Sequence, residues 1–318
     1  MGTNSKNIRD PYYSRAKKEG YRARSAYKLI DLDNELNLFE RRKLIIDLCA
    51  APGSWSQVVC EKTQDENYKV LKLAIDLFKI KPIDDVISIQ ADITTTDCLN
   101  KIFAEIKNFF EKDDLKELHQ DVLVISDGAP DITGDVYIDE YYQGMLVCSG
   151  LGILKEVVCG ISNLENYKNE IYIETGIDNL YLSKNNNVNH DLEKKNNNNI
   201  TYIAKIFRGT DTQILLHHLK NFFHIVEIYK PKSSRNKSVE SFVYCKNFKF
   251  GCSIDPLNLY SAPYSIIHEV IKVKECGNGV DPDTICEDID IENHLQDHLY
   301  PPIDPPYKKV IEIRRNKK

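Results

Sequence analysis

The chain has 318 residues, 42% of them hydrophobic, and a formal net charge of −6. That length exceeds one typical domain and falls short of two large ones, and the apolar content supports a sizeable core. No run approaches a membrane-spanning length, the Lys/Arg-rich start lacks the apolar segment of a secretory leader, and nine scattered cysteines without a CxxC pair speak against a disulfide framework or a zinc site and for reduced thiols in cytosol or nucleus.

Residues 1–20 read as irregular, and Arg22 to Leu36 as a helix with Ala26, Leu29, Ile30, Leu32 and Leu36 on one side. Strands are expected at 44–48, 70–75, 86–90, 121–126, 201–207, 225–229 and 241–245, with helices at 55–62, 97–112, 139–158 and 211–222. This alternation predicts an α/β fold with a seven-stranded, mostly parallel sheet covered on both faces. The last two strands have no helical pattern between them and read as an antiparallel pair at the sheet edge.

From about 160 to 200 the chain is polar, and eight of the fifteen residues 185–199 are Asn. Such a segment cannot bury enough apolar surface to order itself, so it reads as an insert within one domain spanning 1–250. Residues 251–318 form an acidic extension with Pro301, Pro302, Pro305 and Pro306 near its end. Charge is uneven along the chain. Residues 1–28 carry eight Lys/Arg against two Asp/Glu, 205–237 seven against two, and 251–300 two against ten. Two basic segments in an acidic protein predict a local positive face for a polyanion, although solvated helix faces would give the same counts.

The most informative stretch is Asp47-Leu48-Cys49-Ala50-Ala51-Pro52-Gly53-Ser54-Trp55, which follows the apolar run Leu44-Ile45-Ile46. A buried strand here ends in a tight loop of small residues that opens into a helix, the way an α/β sheet presents backbone N–H groups to a nucleotide-like ligand. Neither GxGxxG nor a P-loop is present, which disfavours a nicotinamide dehydrogenase. The plainer reading is a joint packed with small residues.

Four charged residues occupy unusual positions: Asp127 at the end of strand 121–126, Lys205 within an apolar strand, Glu240 at the start of a strand, and Lys28 on the first helix. A buried lysine is costly unless paired, and acids or a second lysine beside it tune its basicity. Singly, each has a blander explanation: a snorkelling lysine, a turn aspartate, surface charges. Asp76 and Asp92 follow the second and third strands, where an acid can accept hydrogen bonds from a ribose or an adenine amino group or can serve only as a turn residue.

Together these pieces resemble the FtsJ/RrmJ-type 2′-O-ribose RNA methyltransferases, and within them the eukaryotic tRNA anticodon-loop subgroup acting at nucleotides 32 and 34. The matching segments are Asp10-Pro11-Tyr12-Tyr13, Arg22 through Leu29, Asp47 through Gln57, Gln90 through Thr94, Ser126 through Gly134, Ala204 through Gly209, Lys230 through Asn236, and the tail Pro301 through Tyr307. The resemblance implies a Rossmann-like methyltransferase fold with S-adenosylmethionine as donor and no metal. It implies a catalytic tetrad of Lys28, Asp127, Lys205 and Glu240. It places Gly53, Ser54 and Trp55 at the methionine part of the donor, Asp76 at its ribose, Asp92 with Ile93 at its adenine, and Asp127 beside the transferred methyl. Lys205, held partly neutral by Lys28 and by burial, would take the hydroxyl proton. RNA is expected across Arg22, Arg24, Lys28, Arg208, Lys232, Arg235 and Lys237, with loop bases stacked on Tyr12, Tyr13 or Tyr27. The subgroup also implies tRNA as partner, a separate auxiliary protein that selects the nucleotide, and a cytoplasmic, membrane-free enzyme. The competing readings are methylation of ribosomal RNA or an mRNA cap, and a non-catalytic RNA-binding subunit.

Overall fold

A computed structural model describes residues 10–64, 68–111, 118, 120–166, 198–235, 238–257 and 272–277. Most of the Asn-rich insert, Lys237 and the proline-rich tail lie outside the described residues.

Eight strands form one sheet: β1 (Leu44–Leu48), β2 (Leu71–Asp76), β3 (Ile87–Gln90), β4 (Val122–Ser126), β5 (Thr201–Phe207), β6 (Phe223–Pro231), β7 (Glu240–Phe248) and β8 (Val273–Cys276). Their order across the sheet is β3-β2-β1-β4-β5-β7-β6-β8. The first five strands run parallel, β7 runs antiparallel to both its neighbours, and β8 runs parallel to β6. All seven expected strands are present.

Two features depart from expectation. The antiparallel strand is interior, because β7 turns back from β6 into the slot beside β5. The eighth strand comes from the acidic extension, so the sheet draws on residues beyond 250. Its sequence, Val273-Lys274-Glu275-Cys276, is short and half charged. That pattern protects a sheet edge against further pairing and hides the strand from a hydrophobicity reading.

Among the described residues six helices cover the sheet: α1 (Pro11–Lys18), α2 (Ala26–Leu36), α3 (Ser54–Lys62), α4 (Thr96–Phe109), α5 (Val136–Asn166) and α6 (Thr212–Lys220). Helix α1 falls where the sequence reads as irregular. Asp10 caps it by accepting the Tyr13 N–H at 3.1 Å, and Pro11 supplies the first helical residue. Helix α2 starts at Ala26 and not at Arg22, because residues 22–25 form bends and a turn.

Side chains on β1 alternate between two cores. Leu44, Ile46 and Leu48 pack with α4, α5 and α6, while Ile45 packs with α1, α2 and α3. All five β1 residues are buried, which explains the apolar run Leu44-Ile45-Ile46 in a parallel strand covered on both faces. Residues Val136–Ile161 of α5 are long and apolar enough to cross a membrane, contrary to the expectation that no run approaches that length. In the fold Val147, Leu151, Leu154, Val158 and Ile161 are buried against the sheet, so this is a core helix.

Candidate active site

The chain steps outward from β1 to β3 on one side of the sheet and from β4 to β5 on the other. This order opens a crevice beyond the carboxyl ends of β1 and β4, where ligands bind in open α/β sheets. Period-two alternation then decides which side chains reach it from the α1–α3 side. Ile125 is followed two residues later by Asp127, and Ile203 by Lys205. Because β7 runs the other way, its first residue arrives at the same edge. In register, Phe207 lies opposite Glu240 and Lys205 opposite Phe242. Lys28 comes down from the first turn of α2.

The four expected charged residues therefore meet. The Lys205 ammonium lies 3.1 Å from Asp127 Oδ1 and donates to the Asp127 carbonyl at 2.5 Å. Lys28 Nζ lies 3.5 Å from the same Oδ1 and in direct contact with Glu240 Oε1. Burial works against the Lys28 charge, but Asp127 and Glu240 outweigh it and hold the ammonium above the ordinary lysine value. Burial likewise penalises the Asp127 carboxylate, and Lys205 and Lys28 overcome that penalty and hold its pKa below the usual aspartate value. A buried cluster of this kind is tolerable only because every charge has a partner.

The start of α2, and with it Lys28, is stapled to α3. Ser25 Oγ and Ser54 Oγ share a hydrogen bond of 2.8 Å, and Trp55 Nε1 donates to the Ser25 carbonyl at 2.8 Å. Trp55 is only 2% exposed and packs 5.6 Å from the Phe242 ring. Ser54 and Trp55 thus back the crevice and hold Lys28 in place, whereas the resemblance puts them against a donor. A residue the sequence reading missed works from the opposite side. Gln143 on α5 donates through Nε2 to the Gly128 carbonyl at 3.1 Å and to the Lys205 carbonyl at 2.6 Å, which ties the ends of β4 and β5 together.

The loop after β1 is packed closely against its own protein neighbours. Gly53 has φ 104°, and a Cβ there would lie 2.8 Å from both Arg22 Nη1 and Ile83 Cδ1. At Gly128 a Cβ would lie 2.7 Å from Cys49 Sγ, so the loops after β1 and β4 touch. Asp76 accepts the Ala51 and Phe78 N–H groups, each at 2.8 Å. Asp92 is exposed and uses Oδ1 to bind the Thr94 N–H and hydroxyl at 2.9 and 2.7 Å, and Ile93 is partly buried beside it. Leu77 and Phe78, 60% and 58% exposed, follow Asp76 directly. Two apolar side chains beside two strand-end acids form a surface suited to a nucleoside, with acids for its hydroxyls or amine and an apolar wall for its ring. The adjacency of Leu77 and Phe78 to Asp76 was visible in the sequence as an apolar pair just beyond a strand-ending acid.

Asp47 lies two residues beyond Ile45 on the same face. Burial pushes its carboxyl up to about 7; Ser56, donating to Oδ2 at 2.6 Å, opposes the shift, while Asp127 and Asp76 add to it. A group whose folded pKa lies above its unfolded value holds its proton only in the folded state between those values, so stability falls as pH rises through that window. Asp47→Asn is expected to remove the decline between pH 3.8 and about 7, on the order of 4 kcal/mol at 1.36 kcal/mol per pKa unit. Denaturant unfolding across that range checks it, and parallel pH profiles for the two proteins would refute it.

Several expected RNA contacts are internal. Arg22 is 6% exposed and donates to the carbonyls of Pro52, Lys81 and Pro82 at 2.8–2.9 Å, as a strut under the loop after β1. Arg24 bonds Asp10 and the Ser233 carbonyl, joining the cap of α1 to the turn after β6. Tyr12 and Tyr27 are 7% and 3% exposed and pack on each other with ring centroids 5.3 Å apart, so neither can stack on a base. Tyr13 is partly buried, Lys232 and Arg235 are exposed on the turn after β6, and Arg208 is half-buried at the end of β5.

Comparison with known proteins follows this geometry. The FtsJ-like methyltransferase family model matches residues 21–248. The tRNA (cytidine(32)/guanosine(34)-2′-O)-methyltransferase of Schizosaccharomyces pombe is 35% identical over 340 residues, covering 100% of this chain and 99% of that protein. The Homo sapiens protein of the same name is 32% identical, covering 99% of this chain and 86% of its own length. The AdoMet-dependent rRNA methyltransferase spb1 of Neurospora crassa is 35% identical over 82% of this chain but only 25% of its own length.

Proposed function

The chain belongs to the FtsJ-like methyltransferase family, and we propose that it methylates the ribose 2′-hydroxyl of tRNA anticodon-loop nucleotide 32, nucleotide 34 or both from S-adenosylmethionine. The observation that carries this reading is the meeting of Lys28, Asp127, Lys205 and Glu240 at the carboxyl edge of β4 and β5. End-to-end similarity to enzymes named for that tRNA reaction selects the substrate. Ribosomal RNA is the weaker choice, because the relative named for it shares only a quarter of its length with this chain.

The donor, when bound, supplies a methyl group on a positive sulfonium that leaves as a neutral thioether. The crevice residues that fit it are the Ala51–Gly53 backbone, Asp76 and Asp92 for the nucleoside, Leu77 and Phe78 for the ring, and Asp127 for the positive charge. What remains for the protein is to make a weak nucleophile reactive and to align it. Lys28 lies between two carboxylates and keeps its proton. Lys205 shares only one of them, so Lys205 is the ammonium we assign to give up a proton to water first; the free amine then takes the hydroxyl proton as the ribose oxygen bonds to the methyl carbon and the carbon–sulfur bond breaks. Asp127 holds both lysines, and Glu240 fixes Lys28. Rigid alignment of the ribose contributes much of the rate, since orientation is worth about 7–11 kcal/mol in well-positioned systems.

The test is transfer of radiolabelled methyl from S-adenosylmethionine to purified tRNA, with the modified riboses mapped. The family subgroup implies an auxiliary protein that selects the nucleotide, so the assay is run with and without one. Label at nucleotides 32 or 34 is the expected result. Label confined to ribosomal RNA, or none on any RNA in either arm, would overturn the reading. A cytoplasmic site of action is part of this proposal and is checked by localising the tagged chain.

A further inference from the structure

The crevice is bordered by an unusual stretch of surface. Ile132, Val136, Tyr137, Ile138, Tyr141 and Tyr142 are 43–74% exposed, and all follow Asp127 within fifteen residues. Among the described residues, the other large aromatic side chain this exposed is Phe78. Apolar patches of this kind on an otherwise polar surface mark binding sites.

The helix carrying these residues is bonded to both strands of the tetrad. Gln143, 2% exposed, reaches the carbonyls of Gly128 and Lys205. Glu140, 7% exposed, accepts the Asp211 N–H at 2.9 Å and the Thr212 hydroxyl at 3.2 Å, which fixes the loop that follows Arg208. Residues 140 and 143 thus form the inner face of α5. Tyr137 with Tyr141, and Ile138 with Tyr142, are i,i+4 pairs on the outer face. The Tyr141 and Tyr142 rings lie edge to face with centroids 5.6 Å apart.

We propose that this outer face, led by Tyr137 and Tyr141, is a stacking platform for unpaired nucleobases next to the ribose being methylated. The inference rests on the function proposed above and relocates the stacking surface from Tyr12 and Tyr27, which are buried. A ribose that reaches Asp127 and Lys205 must leave its flanking nucleotides over the elements bonded to those two strands, and α5 is bonded to both. Bases in a single-stranded loop are read by stacking on exposed aromatic rings. The acids Asp131, Asp135 and Asp139 share this stretch, so the face would hold bases by stacking and not by charge. Asp135 accepts the Tyr137 and Ile138 N–H groups at 3.0 and 3.2 Å, and Asp139 binds Thr133 and Gly134, so both face backbone donors around the start of the helix. Arg208, at the end of β5 beside the loop Glu140 holds, supplies positive charge for phosphates.

The experiment uses the full chain, fluorescein-labelled tRNA and the Tyr137→Ser/Tyr141→Ser double variant, with Tyr137→Phe/Tyr141→Phe as the conservative control. Both positions are exposed, so the fold and donor affinity are expected to stay at wild-type values. Serine is expected to raise the tRNA dissociation constant, and the KM for tRNA, by about 5- to 100-fold, from the cost of removing one aromatic–base stack. Phenylalanine is expected to restore both to within about two-fold of wild type, because stacking needs the ring and not the hydroxyl. Wild-type tRNA affinity in the serine variant, with donor binding intact, would overturn the platform and leave the patch as a surface for a protein partner. A wild-type chain that binds tRNA through this face but transfers no methyl would overturn the proposed function and spare the platform.

Discussion

Lys205→Ala is expected to lower methyl transfer to tRNA by about 10²–10⁴-fold, the usual worth of a positioned general base, with donor binding retained. The reason is the asymmetry between the two lysines. Among the described residues, Lys28 touches Glu240 and shares Asp127, whereas Lys205 has Asp127 alone as carboxylate partner. Lys205→Arg separates a base from a mere positive charge, since a guanidinium keeps its charge and does not release a proton at working pH. That variant is expected to be as inactive as the alanine variant, and single-turnover transfer with labelled donor measures both. Near-normal turnover by either variant would remove Lys205 from the role of base.

Asp127→Asn is expected to cost about 3–5 kcal/mol of stability at neutral pH, as breaking a buried ionic cluster does, and to abolish transfer as well. The change leaves Lys205 with no carboxylate and Lys28 with Glu240 alone. The Asp127 pKa is held below its unfolded value by the two ammonium groups. Its stabilising contribution is therefore complete above the unfolded aspartate value of about 3.9 and is lost as pH falls through the lower folded value. Unfolding curves of wild type and variant should lie far apart at neutral pH and converge in acid. Adding Lys205→Met should recover part of the loss, because it removes the ammonium left without a carboxylate, and a double-mutant cycle measures that recovery. Equal stability of wild type and Asp127→Asn at neutral pH would refute the account.

The parts of this molecule that follow from local rules were readable in the sequence. Strands β1 and β5 fall at the expected positions because mostly apolar runs bounded by turns have few alternatives in a covered sheet. Lys205 stood out because a lysine in an apolar strand is costly without a partner, but Lys28, Asp127 and Glu240 each had a blander explanation, and it was the family resemblance that grouped the four. What failed was the meaning of charge and aromaticity. Arg22 and Arg24 look like phosphate contacts in a basic segment, yet each is used by the fold to bind carbonyls or a carboxylate. Tyr12 and Tyr27 look like stacking rings and are core. Composition records which groups are present, and only tertiary packing decides which of them face water. Helix α1 was missed for a related reason: its three basic residues, Arg15, Lys17 and Lys18, hide an N-cap aspartate followed by proline, which is itself a helix-start signal.

The eighth strand bears on how a working enzyme comes into being. Lys232 N–H donates to the Cys276 carbonyl, and Asp31 on α2 accepts the Ser233 N–H and packs against Gly277. The helix that presents Lys28 is thus braced by residues 276 and 277, which lie beyond all four charged residues in the chain. A messenger cut short before codon 273 would encode all four charged side chains and still yield a protein in which the helix carrying Lys28 lacks this brace.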